Sequence, residues 1–150
     1  MLTALREADL ILVGPGSLYT SVIPTLLVEE VTDVIAHSRA TCVYIANLMT
    51  QPGETQHYSV ADHVRAIYRH TRSGLFDYVV VNTKQVTPRL LRRYHQQGAE
   101  PVEPSFEELD QLRLRYVTGD LLQEQGLVRH DRTRLTRLLL NSFVKSRSRG

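Results

Sequence analysis

Ala8-Asp9-Leu10-Ile11-Leu12-Val13-Gly14-Pro15-Gly16-Ser17-Leu18-Tyr19-Thr20-Ser21 contains four consecutive apolar residues, Leu10 to Val13, too few for a free-standing helix and enough for a buried strand. The run stops at Gly14-Pro15-Gly16, where the backbone must turn sharply and the two glycines carry no side chain to block an approaching group. Three hydroxyls follow, on Ser17, Thr20 and Ser21. Strand, glycine turn, hydroxyls and then a helix start is how α/β proteins hold an anion, with backbone amides and small donors facing outward. The segment lacks the Gly-Lys-Ser/Thr of a Walker loop and the G-x-G-x-x-G of a dinucleotide fingerprint. A phosphate-bearing ligand on Gly14, Pro15, Gly16, Ser17, Thr20 and Ser21 is the expectation.

Two further runs have the same design. Thr41-Cys42-Val43-Tyr44-Ile45-Ala46 is rich in β-branched and aromatic residues and passes into Asn47-Leu48-Met49-Thr50-Gln51-Pro52-Gly53-Glu54-Thr55. Asp77-Tyr78-Val79-Val80-Val81 ends at Asn82-Thr83. In a parallel sheet the C-terminal strand ends share one edge, and ligands bind there. Asn47, Thr50, Gln51, Glu54 and Asn82 should therefore meet Ser17 and Thr20 in one crevice, as contacts for a sugar or nucleoside. Glu54 sits in a Pro-Gly loop where it can accept from a sugar or ribose hydroxyl, or brace the loop through its own amides.

Strand and helix patterns alternate along the chain, which predicts an α/β fold with a mainly parallel sheet and helices on its faces. Helices are expected after Ser59, with Val60, Val64, Ile67 and Tyr68 as the apolar face, and after Thr87-Pro88 as far as Gly98. Residues 105–112 read as helical, Tyr116-Val117 as a late strand, and residues 100–104 as a turn-rich connector. Asp131 should cap a last helix whose Leu135, Leu138, Leu139 and Phe143 face the core. Asp62 and His63 invite an acid–base reading, but adjacent helical residues do not face one another, and a first-turn acid is well placed beside a helix dipole.

Composition narrows the function classes. A chain of 150 residues fits one domain with a real core. Its single cysteine, Cys42, excludes a disulfide framework and a cysteine-based metal site. No apolar run approaches membrane length and no leader-like start is present, so a cytoplasmic protein without a membrane span is expected. From Arg129 onward seven basic residues face one acid, Asp131. With no interleaved aromatics for base stacking and a net charge of only +2, that is a solvated helix face, not a nucleic-acid surface.

The run from Ala8 through Ser21 to Val22-Ile23-Pro24 resembles the signature of the bacterial gluconeogenesis-factor family, a branch of the 2-phospho-L-lactate transferase-like (CofD-like) superfamily. The run 47–55 and the pair Asp62-His63 match it too, and Gly119-Asp120-Leu121-Leu122 with Arg129-His130-Asp131 resembles its closing elements. The resemblance covers the C-terminal half of the family pattern. The glycine-rich Gly-Gly-Gly-Thr-Gly-type loop that opens family members is not among these residues. It implies a Rossmann-like three-layer domain over residues 1–150, the C-terminal half of a larger doubly wound fold. An uncovered sheet edge would then favour a homo-oligomer.

The resemblance implies a regulator that binds a UDP-sugar, notably UDP-N-acetylglucosamine, in support of cell-wall precursor supply and cell shape on gluconeogenic carbon sources. The superfamily's other branch implies a phospholactyl transferase acting on a guanosine diphosphate-linked donor and a deazaflavin acceptor with magnesium. No other cofactor is expected. The strand-end loops carry no Lys or Arg, and Glu54 is the only acid in the segments 14–21 and 47–55 after the strands, which favours binding over catalysis.

Overall fold

The structure, a computed structural model, describes residues 1–145; Arg147 and Arg149 of the basic C-terminal segment lie outside the described residues. Four parallel strands, β1 (Leu10–Val13), β2 (Thr41–Ile45), β3 (Tyr78–Asn82) and β4 (Arg115–Gly119), form one sheet in the order β1-β2-β3-β4. Register runs Ile11 to Cys42, Tyr44 to Val79 and Val80 to Val117. Because every pairing is parallel, all four strands deliver their C-termini to the same edge.

Alternation along the strands decides which layer each side chain joins. Cys42 and Tyr44 on β2 and Val79 and Val81 on β3 point into the larger core. There they pack under α2 (Ile23–Leu26), α3 (Val31–His37), α4 (Val60–His70) and α6 (Phe106–Gln111). Val43, Ile45 and Val80 point the other way, against Leu121 and the stripe Leu135, Leu138, Leu139 and Phe143. That stripe belongs to α7 (Arg132–Leu139) and the π-helical turn Leu140–Val144 that continues it. The second face therefore has a narrow cover over β2 and β3, and at the edge strand β1 Leu12 remains 44% exposed.

The helix boundaries follow capping chemistry. The Ser59 hydroxyl accepts from the Asp62 amide while the Asp62 carboxylate accepts from the Ser59 amide, a reciprocal capping box at the start of α4. Asp131 caps α7 by accepting from the Arg134 amide. Pro88 opens α5 (Pro88–Gln96), and Gly98 beyond it sits at φ +76°, where glycine carries no Cβ penalty.

Two elements lie outside the sequence expectations. A short helix, α1 (Leu2–Glu7), packs on α3. An antiparallel hairpin of β5 (Leu122–Gln125) and β6 (Leu127–His130) turns at Gly126, φ +78°. Its strands are polar and largely exposed, so they lack the apolar alternation by which a strand is read. Among the described residues no helix is long and apolar enough to cross a membrane.

Candidate functional site at the C-terminal edge of the sheet

Beyond β1 the chain enters the turn at Gly14, whose φ of +78° and close neighbours leave little room for a side chain. A Cβ there would lie 3.0 Å from the Ile45 carbonyl oxygen. The backbone then rises into a π-helical turn, Leu18–Val22, which runs on into α2. Leu18 and Val22 anchor that turn in the core, leaving Ser17 half-buried and Thr20 and Ser21 exposed.

The two sequence motifs meet here through hydrogen bonds. Asn47, just past β2, clamps Gly16 from both sides: its Oδ1 accepts from the Gly16 amide at 3.3 Å and its Nδ2 donates to the Gly16 carbonyl at 2.9 Å. The Ser17 hydroxyl donates to Glu54 Oε2 at 3.1 Å, and the Thr20 hydroxyl donates to Ser17 Oγ. Glu54 is thus not idle: it takes the one proton Ser17 can give. Gln51 closes the loop beneath it, its carbonyl accepting from the Glu54 and Thr55 amides, while its Oε1 is buried with no partner.

Thr50 is not brought to the opening. It is 3% exposed; its hydroxyl accepts from the Glu100 amide at 3.0 Å and its own amide donates to the Glu100 carbonyl at 2.8 Å. The connector 100–104 is stitched to the 47–60 segment: Met49 bridges Pro101, Val102 donates to the Leu48 carbonyl, and Val60 to that of Glu103. It forms a wall of the site.

Between that wall and the end of β3 lies a cleft of about 510 Å³. Asn47 and Asn82 stand on its floor, Val81, Leu91, Val102 and Leu122 supply apolar surface, and Lys84 and Glu103 supply charge. Asn82 is also a brace: its Oδ1 accepts from the Leu121 amide at 3.0 Å and its Nδ2 donates to the Lys84 carbonyl at 2.8 Å. The expectation that the strand-end loops carry no Lys or Arg is corrected by Lys84. It stands two residues past β3, and reading the strand end as Asn82-Thr83 stopped short of it. A smaller apolar cavity of about 330 Å³ flanks the turn on its other side, between β1, α1 and α2.

His130, at the end of β6, reaches the end of β2: burial pushes its imidazole below the ordinary histidine value, partly offset by a hydrogen bond to the Ala46 backbone. Nothing in the sequence placed it there, because the hairpin carrying it has no apolar pattern. His63, by contrast, is fully buried inside α4, its Nδ1 bonded to the Ser59 carbonyl at 2.8 Å and its Nε2 unpartnered. Burial pushes its pKa down too, against the pull of Ser59 and Asp62. Burial works against ionisation of Asp62 as well, but its hydrogen bonds from Ser59 and Arg65 hold the carboxyl below the usual range. These two residues serve the helix. Cys42 faces the core, its thiol pushed up to about 12 by burial and then by Asp77. Among the described residues no group of three or more His, Cys, Asp or Glu side chains is arranged to hold a metal ion.

Comparison with known proteins agrees with this architecture. The sequence profile of the family described as 2-phospho-L-lactate transferase CofD matches residues 1–122. The gluconeogenesis factor of Bacillus subtilis is 41% identical over 138 residues, covering 91% of this chain and 44% of that protein. That of Listeria innocua is 42% identical over 138 residues, with 91% and 42% covered. A crystal structure of a UPF0052-family protein from Bacillus halodurans superposes with a TM-score of 0.90 at 38% identity, over 93% of this chain and 45% of that one. The chain spans less than half the length of these relatives. From the strand-turn-hydroxyl segment, the sheet it enters and this profile match, the chain belongs to the 2-phospho-L-lactate transferase CofD family, beside its gluconeogenesis-factor members.

Proposed function

We propose that this chain is the ligand-binding part of a gluconeogenesis factor, a regulator that binds a UDP-sugar, notably UDP-N-acetylglucosamine, at the C-terminal edge of its sheet. Its role would be to match cell-wall precursor supply, and so cell shape, to growth on gluconeogenic carbon sources. The observation that carries the reading is the joining of both motifs at one point, Asn47 clamping Gly16 and Ser17 bonded to Glu54. Binding would exchange partners. Ser17, Thr20 and Ser21 turn their hydroxyls to a phosphate, and Glu54 accepts from a sugar or ribose hydroxyl in place of Ser17. Asn47, which lines the 510 Å³ cleft, keeps a second amide hydrogen and a second oxygen lone pair for the sugar, and the cleft has the room and apolar lining a nucleoside needs.

The family description is compatible with a second reading, a phospholactyl transferase. That chemistry draws on magnesium. With Glu54 the only acid in the segments 14–21 and 47–55 that follow the strands and no cluster of metal-binding side chains among the described residues, the residues present do not build a magnesium site. Thermal-shift measurements with UDP-N-acetylglucosamine, guanosine diphosphate and a deazaflavin separate the readings. A midpoint raised by the UDP-sugar alone supports the regulator, and one raised by guanosine diphosphate and the deazaflavin supports the transferase.

A further inference from the structure

We infer that Lys84 is the anion subsite of the cleft, the cation that meets the diphosphate of a nucleotide-sugar; the inference rests on the nucleotide-sugar reading for the ligand's identity, but not for the presence of an anion. A diphosphate brings negative charge to an edge where Glu54 and Glu103 already stand, and hydroxyls do not neutralise it. Among the described residues lining the cleft, Lys84 is the one cation.

Its setting suits that task. The root of the side chain is fixed, because Asn82 grips the Lys84 backbone at both ends: Oδ1 accepts from its amide at 3.3 Å and Nδ2 donates to its carbonyl at 2.8 Å. The tip is lightly held. Lys84 Nζ lies 3.5 Å from Asp120 Oδ2, both side chains 45% exposed, and such a long, solvated ion pair contributes little. Arg134 NH1 holds the same oxygen at 2.7 Å. Lys84 can therefore swing to a ligand without leaving Asp120 unpaired, since Arg134 still neutralises it. A lysine anchored at its base, loosely parked at its tip and lining a cleft is placed to answer an incoming anion. Asn82 is then a positioning residue acting through Lys84.

The test is calorimetric titration of the 150-residue chain with two probes, inorganic pyrophosphate and UDP-N-acetylglucosamine, in the wild type and in the exposed-site variants Lys84→Met and Lys84→Arg. Pyrophosphate should bind the wild type, bind Lys84→Met at least tenfold more weakly, and bind Lys84→Arg within about threefold of wild type. Raising the salt should erase the difference between wild type and Lys84→Met. Pyrophosphate binding that is absent from the wild type, or equal in Lys84→Met, overturns the subsite. Pyrophosphate binding that depends on Lys84 without any UDP-N-acetylglucosamine binding upholds the subsite and removes the nucleotide-sugar reading instead.

Discussion

The Ser17 hydroxyl donates to the Glu54 carboxylate at 3.1 Å, joining the turn after β1 to the loop after β2 across 37 positions of sequence. The bond gives Glu54 a structural partner in the absence of ligand, and it ties the group expected to donate to phosphate to the group expected to accept from a sugar. A ligand that supplies both a phosphate oxygen and a hydroxyl can replace the bond at both ends. A ligand with only one of them leaves a polar group short of its partner.

Replacing both Ser17 and Thr20 by Ala should therefore weaken a diphosphate ligand, by on the order of 1.5–3 kcal/mol for each charge-assisted hydrogen bond lost. Titration calorimetry reads this directly. Unchanged affinity would remove the phosphate role of the turn.

Glu54→Gln should discriminate between ligands. The amide still accepts through one oxygen but loses the charge that strengthens the bond, so a ligand bearing the sugar or ribose hydroxyl should lose more affinity than its deoxy analogue. An equal loss for both would make Glu54 a brace of the loop alone.

Gly14→Ala tests how tightly the turn is built. The new Cβ would sit at φ +78° and 3.0 Å from the Ile45 carbonyl, a left-handed conformation costing a non-glycine residue about 1–3 kcal/mol. Denaturant unfolding should show that loss, and a variant as stable as wild type would mean that the turn relaxes freely.

Stability should fall as pH drops from neutrality. Burial lowers the pKa of both His63 and His130 in the folded state, while the unfolded chain titrates near the ordinary value of about 6.5. Below that value the unfolded state binds more protons than the folded one, so acid favours unfolding, and the contribution present above pH 6.5 is lost as pH falls through the folded-state values. Chemical denaturation at a series of pH values should give this slope, and His63→Gln should reduce it. A slope unchanged in that variant would show that His63 binds protons alike in the folded and unfolded chain.

Most of this architecture was legible beforehand because its signals are local. Apolar runs ending in turn residues located β1, β2 and β3, and Ser59, Thr87-Pro88 and Asp131 marked three helix starts by capping chemistry. The meeting of Gly16, Ser17, Asn47 and Glu54 followed from parallel topology, since strands that all run one way must bring their ends together. The rest depended on long-range pairing that leaves no periodic trace. Thr50 looked like its neighbours in the motif, yet its hydroxyl is taken up by Glu100, 50 positions away. Lys84 stood just beyond the strand end as read, and His130 reaches β2 only because a polar hairpin folds back. The edge of β1 was foreseen as uncovered, and Leu12 at 44% exposure makes Leu12→Glu the natural variant for sedimentation of any self-associated form.

A nucleotide-sugar seated where the two motifs meet should perturb the amides of both. Titration of the ¹⁵N-labelled chain with UDP-N-acetylglucosamine, followed by two-dimensional NMR, reads this residue by residue. Saturable shifts should concentrate at the amides of Gly16, Ser17, Asn47, Glu54 and Lys84, with those of the α7 face unmoved. No saturable shift at these amides, or shifts centred away from the C-terminal edge of the sheet, would show that the nucleotide-sugar does not seat there.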